Sequence, residues 1–203
     1  MKKHWNKVGK ETRIALLSVL VAGLVACSSP AEKANKYYEK GLALMEQGDL
    51  LKARIELQNA LQIKPELTGA WFALAQIAEQ QGDWEKLFSL LNKVADQDPR
   101  HLDTQIKLGR MLLAAGRLDK ALAASDATLL LAPNNAEVLG LRAGVLYKLG
   151  DTAGAVAQAN AALALSPGNI DALVVLATER LAANDAEKAI EYLDRGLKTN
   201  EKN

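Results

Sequence analysis

The chain is poor in the residues from which reactive sites are built. Its 203 residues include one cysteine, two histidines, two phenylalanines and three tryptophans, and aromatics make up 4 %. A single cysteine leaves no intrachain disulfide to staple the fold and no thiolate pair to hold a metal, so packing alone must carry the structure. Of the two histidines, His4 lies in the basic N-terminal stretch, and His101 falls just past Pro99, where a loop or helix-capping role suits it. There is no His-Glu-x-x-His pair, no Gly-x-Ser-x-Gly elbow and no Gly-x-x-x-x-Gly-Lys phosphate loop. The carboxylates are spaced as on solvated helix faces. These absences point away from an enzyme, a metal site or a cofactor. A formal net charge of +1 offers no basic face for nucleic acid. Apolar residues still make up 49 %, so the core must consist mostly of Ala and Leu, which suits closely packed helices.

The one long apolar run is at the start. Lys2, Lys3, Lys7, Lys10 and Arg13 stand against a single Glu11, and Ile14 to Ala26 then carries no charge. A positive segment, a short apolar segment and a small residue before the cut are the parts of a secretory signal. Thirteen residues fall short of the roughly 20 needed to span a bilayer, so an uncleaved anchor is the weaker alternative. The run ends in Leu24-Val25-Ala26-Cys27, which resembles the bacterial lipobox. That resemblance implies removal of residues 1–26, lipidation of Cys27 and a membrane attachment through its acyl chains, two or more of which anchor stably. Ser28, where an Asp would signal inner-membrane retention, implies the outer membrane, facing the periplasm. Residues 27–33 would then form the lipidated cysteine and a short linker. The mature chain would be 177 residues long with net charge −3.

Beyond the linker, prolines recur at 65, 99, 133 and 167, each 34 residues after the last. A fixed period in this range marks a repeat architecture. Counting back gives five units, 34–67, 68–101, 102–135, 136–169 and 170–203. Gly48, Gly82, Gly116 and Gly150, with Asn184 in the fifth unit, keep the same phase, and these residues tolerate the left-handed conformation that ends a helix. Asp49, Asp83, Asp151 and Asp185 follow as helix caps, Arg117 being the exception. Ala53, Ala121, Ala155 and Ala189 supply a small residue where two helices cross, Leu87 departing from the row.

The pattern resembles the tetratricopeptide repeat (TPR) over residues 34–203. Tyr37, Trp71, Leu139 and Leu173 match its large residue early in the first helix, and Gln105 does not. Gly41, Ala75, Gly109, Ala143 and Ala177 match the small residue four later. The resemblance implies an all-α fold, a right-handed TPR superhelix of five helix-turn-helix repeats following a lipoprotein signal peptide. Arg180, in a row otherwise filled by Leu44, Ala78, Leu112 and Leu146, and Glu201 in place of the proline make the fifth unit more polar. Two readings stand: a degenerate closing repeat, or the N-terminal piece of a longer array.

In TPR proteins the concave surface is lined by the second, fifth, ninth and twelfth positions of each first helix. Carried onto this chain, the partner-binding groove comprises Asn35, Tyr38, Leu42 and Met45; Phe72, Gln76 and Glu79; Ile106 and Arg110; Gly140, Gly144 and Tyr147; and Val174 and Thr178. The fifth-position row, Tyr38, Phe72, Ile106, Gly140 and Val174, is apolar throughout, either as an exposed binding strip or as filling of the seam between helices. Gly140 and Gly144 either leave room for a partner's side chain beside Tyr147 or permit helix contact; charged Arg142 and Lys148 in the same segment rule out a transmembrane dimer motif. Tyr38 and Leu42 stand where one TPR class grips chaperone C-termini with Lys and Asn, so that clamp is absent.

The expected function is a non-enzymatic, lipid-anchored scaffold that holds envelope proteins in its groove during assembly or export. Lipobox, linker and the opening repeat "GDLLKARIELQNALQIKP" resemble the TPR lipoproteins of PEP-CTERM/exosortase systems, which implies a link to exopolysaccharide production and protein sorting. Type IV pilus assembly lipoproteins are the alternative within the class. A regulatory subunit of a cell-wall or polysaccharide enzyme is the alternative outside it.

Overall fold

The computed structural model describes residues 29–200. The expected signal peptide, Cys27 and Ser28 lie outside the described residues, as does Glu201. Among the described residues there are ten α-helices and no strand. They are α1 (Pro30–Glu46), α2 (Leu50–Ile63), α3 (Thr68–Gln80), α4 (Trp84–Gln97), α5 (Leu102–Ala114), α6 (Leu118–Leu131), α7 (Ala136–Lys148), α8 (Thr152–Leu165), α9 (Ile170–Ala182) and α10 (Ala186–Asn200). The even-numbered helices begin 34 residues apart, from Leu50 through Ala186, and so do α3, α5, α7 and α9.

One short local program, written five times, sets this spacing. Each odd helix ends at a residue of positive φ, Gly48, Gly82, Gly116, Gly150 or Asn184. The next N–H then folds back onto a carbonyl five residues earlier, as from Asp49 to Leu44 (2.9 Å), Arg117 to Leu112 (2.9 Å) and Asp185 to Arg180 (2.9 Å). This is the Schellman arrangement. The residue that makes this bond also caps the following helix. Asp49, Asp83, Asp151 and Asp185 each accept a bond from the N–H three residues on, while Arg117 makes no side-chain cap bond. The odd helices are capped too. His101 Nδ1 accepts from Thr104 N–H, and Asn135 and Asn169 accept through Oδ1.

The start of α1 differs from the expected linker. The helix begins at Pro30, four residues ahead of Ala34. Ser29 Oγ accepts from Glu32 N–H at 3.1 Å, and Glu32 Oε2 accepts from Ser29 N–H at 2.9 Å. That capping box, with proline in the first turn, nucleates helix where composition alone reads as a spacer.

The described residues divide into two compact units, meeting in sequence at Leu67 and Thr68. The first holds the α1/α2 hairpin. Its helices approach closely at Gly41, where an added Cβ would lie 2.7 Å from Leu57 Cγ. The second holds four hairpins in series, α3/α4, α5/α6, α7/α8 and α9/α10. Here α4 packs on α5, α6 on α7 and α8 on α9, and the first helices α5, α7 and α9 also touch in order. Small side chains make that possible. Ala121, Ala143, Ala155, Ala159, Ala162 and Ala172 are all fully buried, gathered with Leu139, Leu141, Val145, Val175 and Leu176 into the two main apolar clusters. Alanine contributes little transfer energy per residue, but it lets backbones come near enough for dense van der Waals contact.

Candidate functional site

Within the second unit the first helices of three successive hairpins, α5, α7 and α9, lie side by side and line a cleft of about 240 Å³. Arg110 and Leu113 come from α5, Gly140, Leu141, Gly144, Tyr147 and Lys148 from α7, and Asp171, Val174, Val175 and Thr178 from α9. Six residues expected in the groove from sequence, Arg110, Gly140, Gly144, Tyr147, Val174 and Thr178, are therefore brought together here.

The two glycines play different parts. Gly140 is a contact point: a Cβ there would sit 2.4 Å from Asn169 Oδ1 and 3.1 Å from Asp171 Cβ. Asn169 needs that space, because its Oδ1 accepts from Ala172 N–H (2.9 Å) and its Nδ2 donates to the Ala136 carbonyl (3.0 Å). Its side chain thereby ties the start of α7 to the start of α9. Gly144 is the more open: an added Cβ would meet only the tip of Leu113, at 3.2 Å.

Arg110 closes one end of the cleft. Its Nε and Nη2 both donate to Asp171 Oδ2, at 3.0 and 2.8 Å, and Nη2 lies 3.2 Å from Glu137 Oε2. One guanidinium thus links α5 to both α7 and α9. Partial burial works against its charge, but the attraction and hydrogen bond of Asp171, then those of Glu137, outweigh it and push the pKa above the ordinary 12.5. The group stays a cation throughout. Lys107, one turn back on α5, pairs with Glu79 of α3 at 2.6 Å.

The fifth-position row is not one open strip. Ile106 is 2 % exposed and Gly140 is buried, so both belong to the seam, a correction to the expectation of a groove. Adjacent first helices approach closely enough here to cover that position. Phe72 is half-buried, its ring 4.6 Å from that of His101. Val174 is open at 49 %. Gln76 is half-buried. In the first unit Asn35 is exposed, while Tyr38, Leu42 and Met45 are half-buried along α1.

Two features escaped the sequence reading. Leu141, Val175 and Lys148 line the cleft from the sixth and thirteenth positions, which a search at the i+3 and i+7 steps from the ninth would have found. The second is a larger apolar cleft of about 560 Å³, lined by Trp84, Leu87, Met111, Ala114 and Ala115, with Lys107, Arg110 and Glu79 at its rim. Here Lys107 and Met111 stand where the next repeat has Leu141 and Val145. The lysine turns to its carboxylate instead of filling the seam.

Among the described residues no group of His, Cys, Asp and Glu could hold a metal ion, and no helix is long and apolar enough to cross a membrane.

A search of functionally curated proteins found no sequence match. Among solved structures, the fold resembles MamA from Desulfovibrio magneticus RS-1, with TM-score 0.66 and 18 % identity over 84 % of this chain and 96 % of the other. It also resembles PilW, described as a widely conserved type IV pilus biogenesis factor, with TM-score 0.67 and 20 % identity over 83 % and 78 % of the two chains. YrrB, a TPR protein described as having an unusual peptide-binding site, aligns with TM-score 0.61 and 20 % identity over 80 % and 84 %. At these identities the likeness is one of fold. Family profiles described as tetratricopeptide repeat match residues 38–101, 88–145 and 146–203, and with five turns and caps in the same phase the chain belongs to the tetratricopeptide-repeat family.

Proposed function

We propose that this TPR protein is a lipid-anchored scaffold of the bacterial envelope, held to the outer membrane through Cys27 and grasping a partner protein on the periplasmic side without catalysis of its own. The observation that carries the binding role is the cleft between α5, α7 and α9. It is lined by apolar side chains, Leu113, Leu141, Val174 and Val175, with Lys148, Thr178 and the Arg110–Asp171 pair at its edges. An anchor residue of a partner gains from the apolar walls, and the polar rim fixes its orientation. The basic segment, the short apolar run and the lone cysteine support the anchored part of the reading.

The test pairs the wild-type chain with Thr178→Arg and Tyr147→Ala variants in capture experiments from solubilised envelopes, with folding checked by circular dichroism. Thr178 is exposed and Tyr147 half-buried at the cleft, so both changes alter its shape with little cost to the core. A partner lost with either variant places function in the cleft. A partner retained by both overturns that placement. The identity of the captured protein decides the pathway. A component of exopolysaccharide export or PEP-CTERM sorting supports our first choice. A pilus component supports the alternative, to which the fold shared with PilW adds weight. Lipidation is tested separately by metabolic labelling with a fatty acid, where the label is expected on the wild type and absent from Cys27→Ala.

A further inference from the structure

The face of the last hairpin stands apart from every other seam in the second unit. The twenty-fourth position of each repeat is fully buried at Leu91, Ser125 and Ala159, yet Leu193 is 43 % exposed. The fifth position is closed at Ile106 and Gly140 but open at Val174. On α9, Ile170, Val174 and Leu181 form one exposed apolar stripe, and on α10 Ile190, Leu193 and Leu197 form another. Between the stripes lies a hollow of about 330 Å³, lined also by Leu173, Tyr192 and Gly196. Such a continuous apolar face is a surface shaped to be covered.

The other end of the array could not cover it. In α3, α7 and α9 the third position is fully buried, as Ala70, Val138 and Ala172, and the sixth is closed, as Ala73, Leu141 and Val175. In α1 these places hold Lys36 and Glu39, both exposed. Head-to-tail stacking would strip water from those charges against an apolar surface, which is costly. The face does suit itself. Glu187 lies in the first turn of α10 and Lys198 in the last. When two copies of α10 approach antiparallel across a twofold axis near Leu193, the acidic start of each meets the basic end of the other. Asp194, on the same rim, stands four residues before Lys198 and has that cation as a neighbour. Such an isologous contact closes on itself at two copies.

We infer that the α9/α10 face is a docking surface for a second copy of this chain, making a tail-to-tail dimer about a twofold axis beside Leu193. The interface buries Ile190, Leu193 and Leu197 with Val174 and Leu181, and it leaves the cleft between α5 and α7 facing away from the axis for a partner.

Disulfide trapping in the full chain tests this. Leu193→Cys is compared with Leu130→Cys, at a leucine that is 87 % exposed on α6, and with the wild type, which reports any linkage through Cys27. The expected result is an oxidised dimer for Leu193→Cys, with peptide mapping joining the two introduced thiols, and only background for the other two. Adding Leu197→Glu should reduce the Leu193→Cys product to background. Adding Glu187→Lys should weaken it, and Lys198→Glu on top of that should restore it. Trapping no greater than for Leu130→Cys, trapping indifferent to Leu197→Glu, or trapping only to a different protein would each overturn the inference.

Discussion

At Gly140 a missing side chain is a demand of packing. Gly140→Ala would drive a methyl into Asn169, whose two hydrogen bonds join α7 to α9. Its expected cost is about 1–3 kcal/mol, the range for overpacking, read as a lower urea midpoint at constant slope. Gly144→Ala, against the flexible tip of Leu113, should leave the midpoint nearly unchanged while narrowing the cleft. Sequence placed both glycines in one row and could not separate them. The difference lies in Asn169, from the end of the following helix pair, and no spacing rule reveals which side chain will lean on a glycine. Arg110 is a similar case. Its position on the inner face was legible, but its carboxylate partner lies 61 residues away. Asp49 shows the opposite, a role readable from local spacing alone. The Lys52 side chain first, and its backbone N–H second, hydrogen-bond to the carboxylate and hold it below its ordinary 3.8. The folded chain therefore binds that proton more weakly than the unfolded chain, so the ionised cap stabilises α2 above pH 3.8 and the contribution fades as pH falls through the lowered value. Urea midpoints for wild type and Asp49→Ala should differ at neutral pH and converge in acid.

At the level of the helix, the missing cap on α6 offers a gain. Arg117→Asp would restore the acceptor that four other hairpins use, with its target the N–H of Lys120. It should stabilise the chain by about 1 kcal/mol, the usual worth of such a cap, seen as a higher midpoint in chemical denaturation. His101 is the reverse case, a histidine serving as cap through Nδ1. His101→Asn should be nearly neutral, and His101→Ala should lose about 1 kcal/mol with the cap, together with the ring contact to Phe72. Element boundaries were legible because turns and caps demand particular residue types in fixed order. The exception, α1, began early because a two-residue capping box outweighed the look of a spacer.

Over the whole molecule, the second unit is a chain of neighbours, and damage should spread by adjacency. Val145, fully buried in α7, touches the α5/α6 hairpin through its cluster with Ala121 and Leu141. Val145→Ala should raise amide hydrogen exchange in α5 to α8 and leave α3 and α4 protected, since each repeat leans only on the next. A uniform loss of protection would contradict that. The repeat length in sequence disclosed the stacking, but not how tight each seam is, because that turns on single substitutions such as Lys107 for a leucine. The five turns carry a last consequence. At Gly48, Gly82, Gly116 and Gly150 an added Cβ would meet nothing within 4 Å, yet φ lies between +67° and +89°. The obstacle to a larger residue is stereochemical, with no want of room. A D-alanine introduced by chemical ligation has its favoured backbone there, so it should fit each turn without strain and, by restricting the unfolded chain, strengthen the protein by about 0.4–1 kcal/mol per site. The same array, at those four points, is built for a mirror-image amino acid that ribosomes do not supply, and glycine is the nearest substitute in the genetic code.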